Sequence, residues 1–115
     1  MLKKRKLVNG KVRVMFSMPA LDNVGWLYLV GEFNEWNETA TPMTKADDGS
    51  WSVALTLDSN RDYQYRYLAD GYLWLNDWEA DSYTRNNFGS DNSVLNLIEE
   101  EKPKRARKKT MKKKL

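Results

Sequence analysis

With no His and no Cys, the side chains left to do chemistry in this chain are its carboxylates, amines, guanidinium groups, hydroxyls, amides and aromatic rings. That excludes an imidazole general base, a Ser-His-Asp triad, a thiol nucleophile, a disulfide framework, and histidine or thiolate metal sites. Five Trp stand in 115 residues, more than one small core needs. Trp51 keeps step with Val53, Leu55 and Leu57 and is read as core. Trp36 sits among Asn34, Glu35, Asn37 and Glu38 with no apolar partner at strand spacing, so it is either a lid on the core or an exposed contact for a ligand. Trp74 follows Asp70-Gly71, and alternation does not assign its face because residues 72–75 are all apolar. Trp78, inside Asn76-Asp77-Trp78-Glu79-Ala80-Asp81, is expected to anchor a polar loop. Arg66 is either a solvated charge or a planar multi-donor fork beside aromatic surface. Flat indoles with polar donors around them suit a hydroxyl-rich ring, whose C–H face stacks while its hydroxyls find partners at the rim.

Strands hold these groups in place. Val12, Val14 and Phe16 alternate with Lys11, Arg13 and Met15, and Pro19 follows. Trp26 to Val30 is apolar on both faces and breaks at Gly31. Asp47-Asp48-Gly49 turns into the Trp51 run, and Ser59-Asn60-Arg61-Asp62 turns into Tyr63, Tyr65 and Tyr67. With those tyrosines in the core, Arg66 projects from the other face together with Gln64 and Leu68. Asp70-Gly71 is a hairpin signal, and a last run spans Val94 to Ile98. Six or seven short strands, without an amphipathic helix, predict an all-β, antiparallel β-sandwich.

Charge is segregated along the chain. Residues 1–6 hold four cations and residues 102–115 hold nine with no acid, so residues 7–101 keep six cations against all sixteen acids. The chain divides accordingly into a basic N-terminal segment (1–6), a sandwich (7–101) and a basic tail (102–115) expected to be disordered. The tail suits weak, salt-dependent association with polyanions, and its lack of aromatics argues against reading bases. No stretch is long and apolar enough to span a membrane, and the apolar part of a signal peptide is missing, so a cytoplasmic protein without membrane insertion is expected. Asp77, Glu79 and Asp81 are nominal carboxylates for glycoside hydrolysis or for Ca²⁺. A small sandwich offers no cleft to raise a carboxyl pKa, and the segment lacks a Gly-turned calcium loop; a hydrogen-bonded surface loop is the expectation.

Gly31-Glu32-Phe33-Asn34-Glu35-Trp36, then Tyr65-Arg66-Tyr67 running into Asp70-Gly71, then Asn92-Ser93-Val94, resemble the glycogen-binding module. This is carbohydrate-binding module family 48, or isoamylase early-set domain, found in the β subunit of AMP-activated protein kinase and at the N-terminus of branching and debranching enzymes. The resemblance covers roughly residues 8–98 and is similar in detail to the small stand-alone prokaryotic versions. It implies an immunoglobulin-like sandwich of the early-set type that binds α-1,4-glucan chains such as glycogen, without catalysis, cofactor or metal. A glycogen-metabolising enzyme is the candidate protein partner. By resemblance, the sugar site comprises Trp36, Arg66, Trp74, Phe88, Ser90 and Asn92. One extra residue separates Gly71 from Trp74 relative to the kinase module, which leaves Tyr72 and Leu73 as alternatives for the second platform. A rival reading is a protein-interaction adaptor of the same fold. If Leu27 and Leu29 face the core, Trp26 and Tyr28 lie on the opposite side, beneath the terminal segments or at a partner or dimer surface.

Overall fold

A computed structural model describes residues 1–98 as two antiparallel sheets packed face to face. In chain order the strands are β1 (Leu2–Lys6), β2 (Lys11–Met18), β3 (Leu27–Gly31), β4 (Thr44–Lys45), β5 (Trp51–Asp58), β6 (Asp62–Ala69), β7 (Leu73–Leu75), β8 (Ser82–Arg85) and β9 (Asp91–Asn96). One sheet runs β1-β2-β5-β4 and the other β3-β6-β9-β8, with β7 added to β6 beyond the end of β9. The antiparallel sandwich expected from the alternating runs is the fold, in the immunoglobulin-like form that the resemblance implies. The helical content among the described residues is one 3-10 turn, Glu32–Asn34, and no helix there is long and apolar enough to cross a membrane.

Alternation decides which side chains fill the space between the sheets. Val12, Val14, Phe16 and Met18 point inward from β2 and are buried, while Lys11, Arg13 and Met15 between them are exposed. From the facing sheet come Leu27, Leu29, Tyr63, Tyr65, Tyr67, Ala69 and Leu95. Phe16 meets Tyr65 edge-on at 5.2 Å between ring centroids, and Tyr65 meets Tyr67 in the same way at 5.8 Å, the geometry that ring quadrupoles prefer. Trp51 lies in this core as expected.

The basic N-terminal residues are not separate from the sandwich. Leu2–Lys6 form β1, paired with β2 from Leu2↔Phe16 to Lys6↔Val12, so the fold begins ahead of residue 7. Strong β2 alternation templates an edge strand whose own sequence carries little apolar signal. The expected boundary at 99–101 and the basic tail 102–115 lie outside the described residues.

Candidate functional site

The segment after β3 is built around one glycine. A Cβ on Gly31 would come within 2.6 Å of the Gln64 carbonyl oxygen and 2.7 Å of Tyr65 Cβ, so only glycine permits this approach of β3 to β6. The next three residues then have separate tasks. Glu32 accepts from the Gln64 amide at 2.9 Å and lies 3.7 Å from Arg61. Phe33 packs on Phe16 and the core tyrosines. Asn34 accepts from the Gly31 amide at 3.0 Å and donates to the Leu29 carbonyl at 2.9 Å and to Thr41 Oγ1 at 3.0 Å. Glu35 and Trp36 both take left-handed backbone, φ 58° and 57°, which costs a non-glycine residue about 1–2 kcal/mol each. The Trp36 amide, bonded to the Gly31 carbonyl at 2.8 Å, ties down that strained pair. Trp36 thereby stands at the surface, 38% exposed, instead of folding into the core.

Across the same sheet, β6 supplies Gln64 and Arg66 to the outer face. Leu68 on that face is buried and lies directly between Tyr28 on β3 and Trp74 on β7. The Asp70-Gly71 turn sets this register: both residues have positive φ, and the Tyr72 amide bonds the Ala69 carbonyl at 3.1 Å. Trp74, 36% exposed, has the Arg66 guanidinium over its ring at 5.8 Å. Arg66 Nε is enclosed yet has no hydrogen-bond partner among the described residues. Asn92, on neighbouring β9, is buried and donates to Gln64 Oε1 at 3.0 Å. Asn86 in turn donates to Asn92 Oδ1 at 3.1 Å, and its own Oδ1 accepts from the amides of Phe88 and Ser90 at 2.8 and 3.2 Å. Asn86 therefore fixes the loop that carries Phe88, which is 92% exposed.

These groups line one groove of about 710 Å³, which holds Trp36, Arg66, Trp74, Phe88, Ser90 and Asn92 together. Tyr72 and Leu73, the alternatives to Trp74, are exposed but do not line it. Five further residues do: Glu32, Gln64, Arg85, Asn86 and Asn87. Gln64 was legible by alternation as a neighbour of Arg66, whereas Arg85, Asn86 and Asn87 reach the groove through a loop without periodicity. Trp26 is exposed and lies outside the groove.

The acidic loop differs from its expectation in one respect. Trp78 is 66% exposed and does not anchor it; the anchor is Asp77. Its carboxylate is buried, meets the Met1 amino group, and accepts from Tyr65 and Tyr67 at 2.8 and 3.1 Å. Ser93 Oγ accepts from the Asp77 amide at 2.9 Å, and Tyr83 donates to the Asp77 carbonyl at 2.6 Å. Burial first, then the negative charge nearby, pushes both core phenols well above the ordinary tyrosine range. Asp77 is thus committed to structure, on the inner side of the sheet whose outer face carries the groove.

The family model for carbohydrate-binding module 48 (isoamylase N-terminal domain) matches residues 22–84, more than half of the chain. The chain belongs to this family. The family-48 match includes Trp36, Arg66 and Trp74 and ends before Phe88, Ser90 and Asn92. Over 61 residues, half of this chain, the module is 39% identical to the 1,4-alpha-glucan branching enzyme GlgB of Aquifex aeolicus, and over 34 residues it is 44% identical to the 1,4-alpha-glucan-branching enzyme of Dictyostelium discoideum. Those stretches are 10% and 5% of the respective enzymes and 50% and 30% of this chain. Among solved structures, enterochelin esterase from Shigella flexneri matches 84% of this chain and 32% of its own, with a TM-score of 0.64 at 12% identity, a likeness of fold. Family membership makes the chain a carbohydrate-binding module, a class that is not catalytic by itself.

Proposed function

We propose that this family-48 module binds α-1,4-linked glucan, as glycogen or maltooligosaccharide, and performs no catalysis. The observation that carries the reading is the pair of indoles, Trp36 and Trp74, each about a third exposed and set in one groove with Arg66. Glucosyl rings stack on the two indoles through their C–H faces, while Arg66, Asn92 and Ser90 serve the hydroxyls. The enclosed Arg66 Nε keeps an unused donor for that purpose. The branching enzymes to which the chain is similar support α-1,4-glucan as the polymer.

The groove also argues for binding without hydrolysis. Glycosidases place two carboxylates across the scissile bond, and among the described residues Glu32 is the one carboxylate in the lining. It is occupied by the Gln64 amide and Arg61. A shallow site of this kind binds a short oligosaccharide at roughly 0.1–1 mM, about 4–5.5 kcal/mol. Titration with maltoheptaose or β-cyclodextrin, followed by Trp fluorescence and indole N–H NMR shifts, should perturb Trp36 and Trp74. Each Trp→Ala change should then weaken binding by about 1–3 kcal/mol. Unmoved Trp36 and Trp74 signals in millimolar ligand would end the proposal.

A further inference from the structure

The sandwich has a second outer face, on the β1-β2-β5-β4 sheet, whose charge is opposite to that of residues 7–101 as a whole. Since Val12, Val14 and Phe16 point inward, Lys11, Arg13, Met15 and Ser17 point outward from β2. The register adds Lys3 beside Met15 and Arg5 directly opposite Arg13 on β1, and Ser52, Ala54, Thr56 and Asp58 on β5. Lys11 pairs with Asp58, the one acid in this array. Lys3, Arg5 and Arg13 are exposed and have no ion-pair partner among the described residues. Two arginines placed directly across an antiparallel pair repel each other, so the face holds concentrated positive charge that the fold itself does not neutralise.

We propose that this face is a binding surface for the phosphate backbone of a nucleic acid, independent of base sequence. Lys3 and Arg5, two residues apart on one strand, stand roughly 6.8 Å apart, close to the spacing of neighbouring phosphates along a strand. The forks of Arg5 and Arg13 fit phosphate oxygens in pairs, and the hydroxyls of Ser17, Ser52 and Thr56 add neutral donors. Among the described residues the face carries no aromatic ring, Asn or Gln to stack on bases or read their edges. It also lacks the Trp, Phe and Leu that let a basic surface settle into lipid headgroups, which disfavours a membrane.

The test uses the full chain and a fluorescein-labelled RNA of mixed sequence, roughly 20 nucleotides, by anisotropy between about 50 and 200 mM salt. The variant is K3Q/R5Q/R13Q with the tail unchanged, and its Trp response to maltoheptaose serves as a separate check on the groove. Each single-strand phosphate contact contributes about 0.7 to the slope of log K against log salt, so the variant should lose about 2. At about 0.1 M salt that is a loss on the order of 100-fold. Near-ultraviolet circular dichroism like that of the parent establishes that the variant is folded. An unchanged slope and affinity would overturn the proposal and assign RNA binding to residues 102–115. No RNA binding at about 50 mM salt, or tighter binding to phosphatidylserine vesicles than to RNA, would overturn it as well.

Discussion

Replacing Asn34 by Ala tests how the sequence holds Trp36 at the surface. The side chain makes three hydrogen bonds, to the Gly31 amide, the Leu29 carbonyl and Thr41 Oγ1, at 3.0, 2.9 and 3.0 Å. Gly31 and Leu29 are buried, so their released groups gain no water in exchange. At about 1 kcal/mol per bond, with a further penalty for groups left unsatisfied, the change should cost about 2–4 kcal/mol of folding free energy. For a domain of this size that lowers Tm by roughly 10–25 °C. The second consequence falls on the groove. Glu35 and Trp36 hold their left-handed backbone against a local preference, and the Gly31–Asn34 bracket is what opposes it. Freeing one residue costs about 1–2 kcal/mol to re-order on binding, so affinity for maltoheptaose should fall about 5- to 30-fold. Asn34→Asp should rescue little, because it keeps the acceptor for Gly31 but sets a second oxygen against the Leu29 carbonyl. Urea unfolding and a fluorescence titration measure the two effects. A stability loss under about 1 kcal/mol together with unchanged affinity would refute the argument that Asn34 brackets the loop.

Gly31→Ala should destabilise the fold by about 1–3 kcal/mol or more, since the added carbon meets the Gln64 carbonyl oxygen and Tyr65 Cβ, neither of which can swing aside; urea denaturation reads this directly. Arg66→Lys keeps the charge but loses the planar fork over Trp74, so calorimetric titration should show glucan affinity reduced several-fold with stability nearly unchanged. The folded-state pKa values of Tyr65 and Tyr67 are raised, so the stability they contribute is fully present below about pH 10 and is lost as pH rises beyond it. Tyrosinate absorbance should therefore show these two phenols ionising only together with alkaline unfolding, and ionisation of all six tyrosines in the native protein would contradict the packing around Asp77.

Local alternation and turn chemistry can be read from the residues alone. Tyr63, Tyr65 and Tyr67 had to share one face, Arg66 and Gln64 the other, and Asp70-Gly71 had to reverse the chain, because strand period and positive φ are properties of a few adjacent residues. What those residues meet depends on how the strands pair and the two sheets close. Residues 72–75 show no alternation, and it is the register opposite Leu68 that puts Trp74, not Tyr72 or Leu73, in the groove lining. Trp36 is exposed because a left-handed turn braced by Asn34 overrides the tendency of an indole to bury, which no residue spacing encodes. Likewise Trp78 and Asp77 exchange the roles that polarity assigns them, since two buried phenols supply the partners that make a buried carboxylate tolerable. The basic N-terminal segment became a strand by pairing with β2, and that pairing placed its charge beside Arg13. Burial and charge proximity are non-local, and they emerge only when the two sheets close on each other.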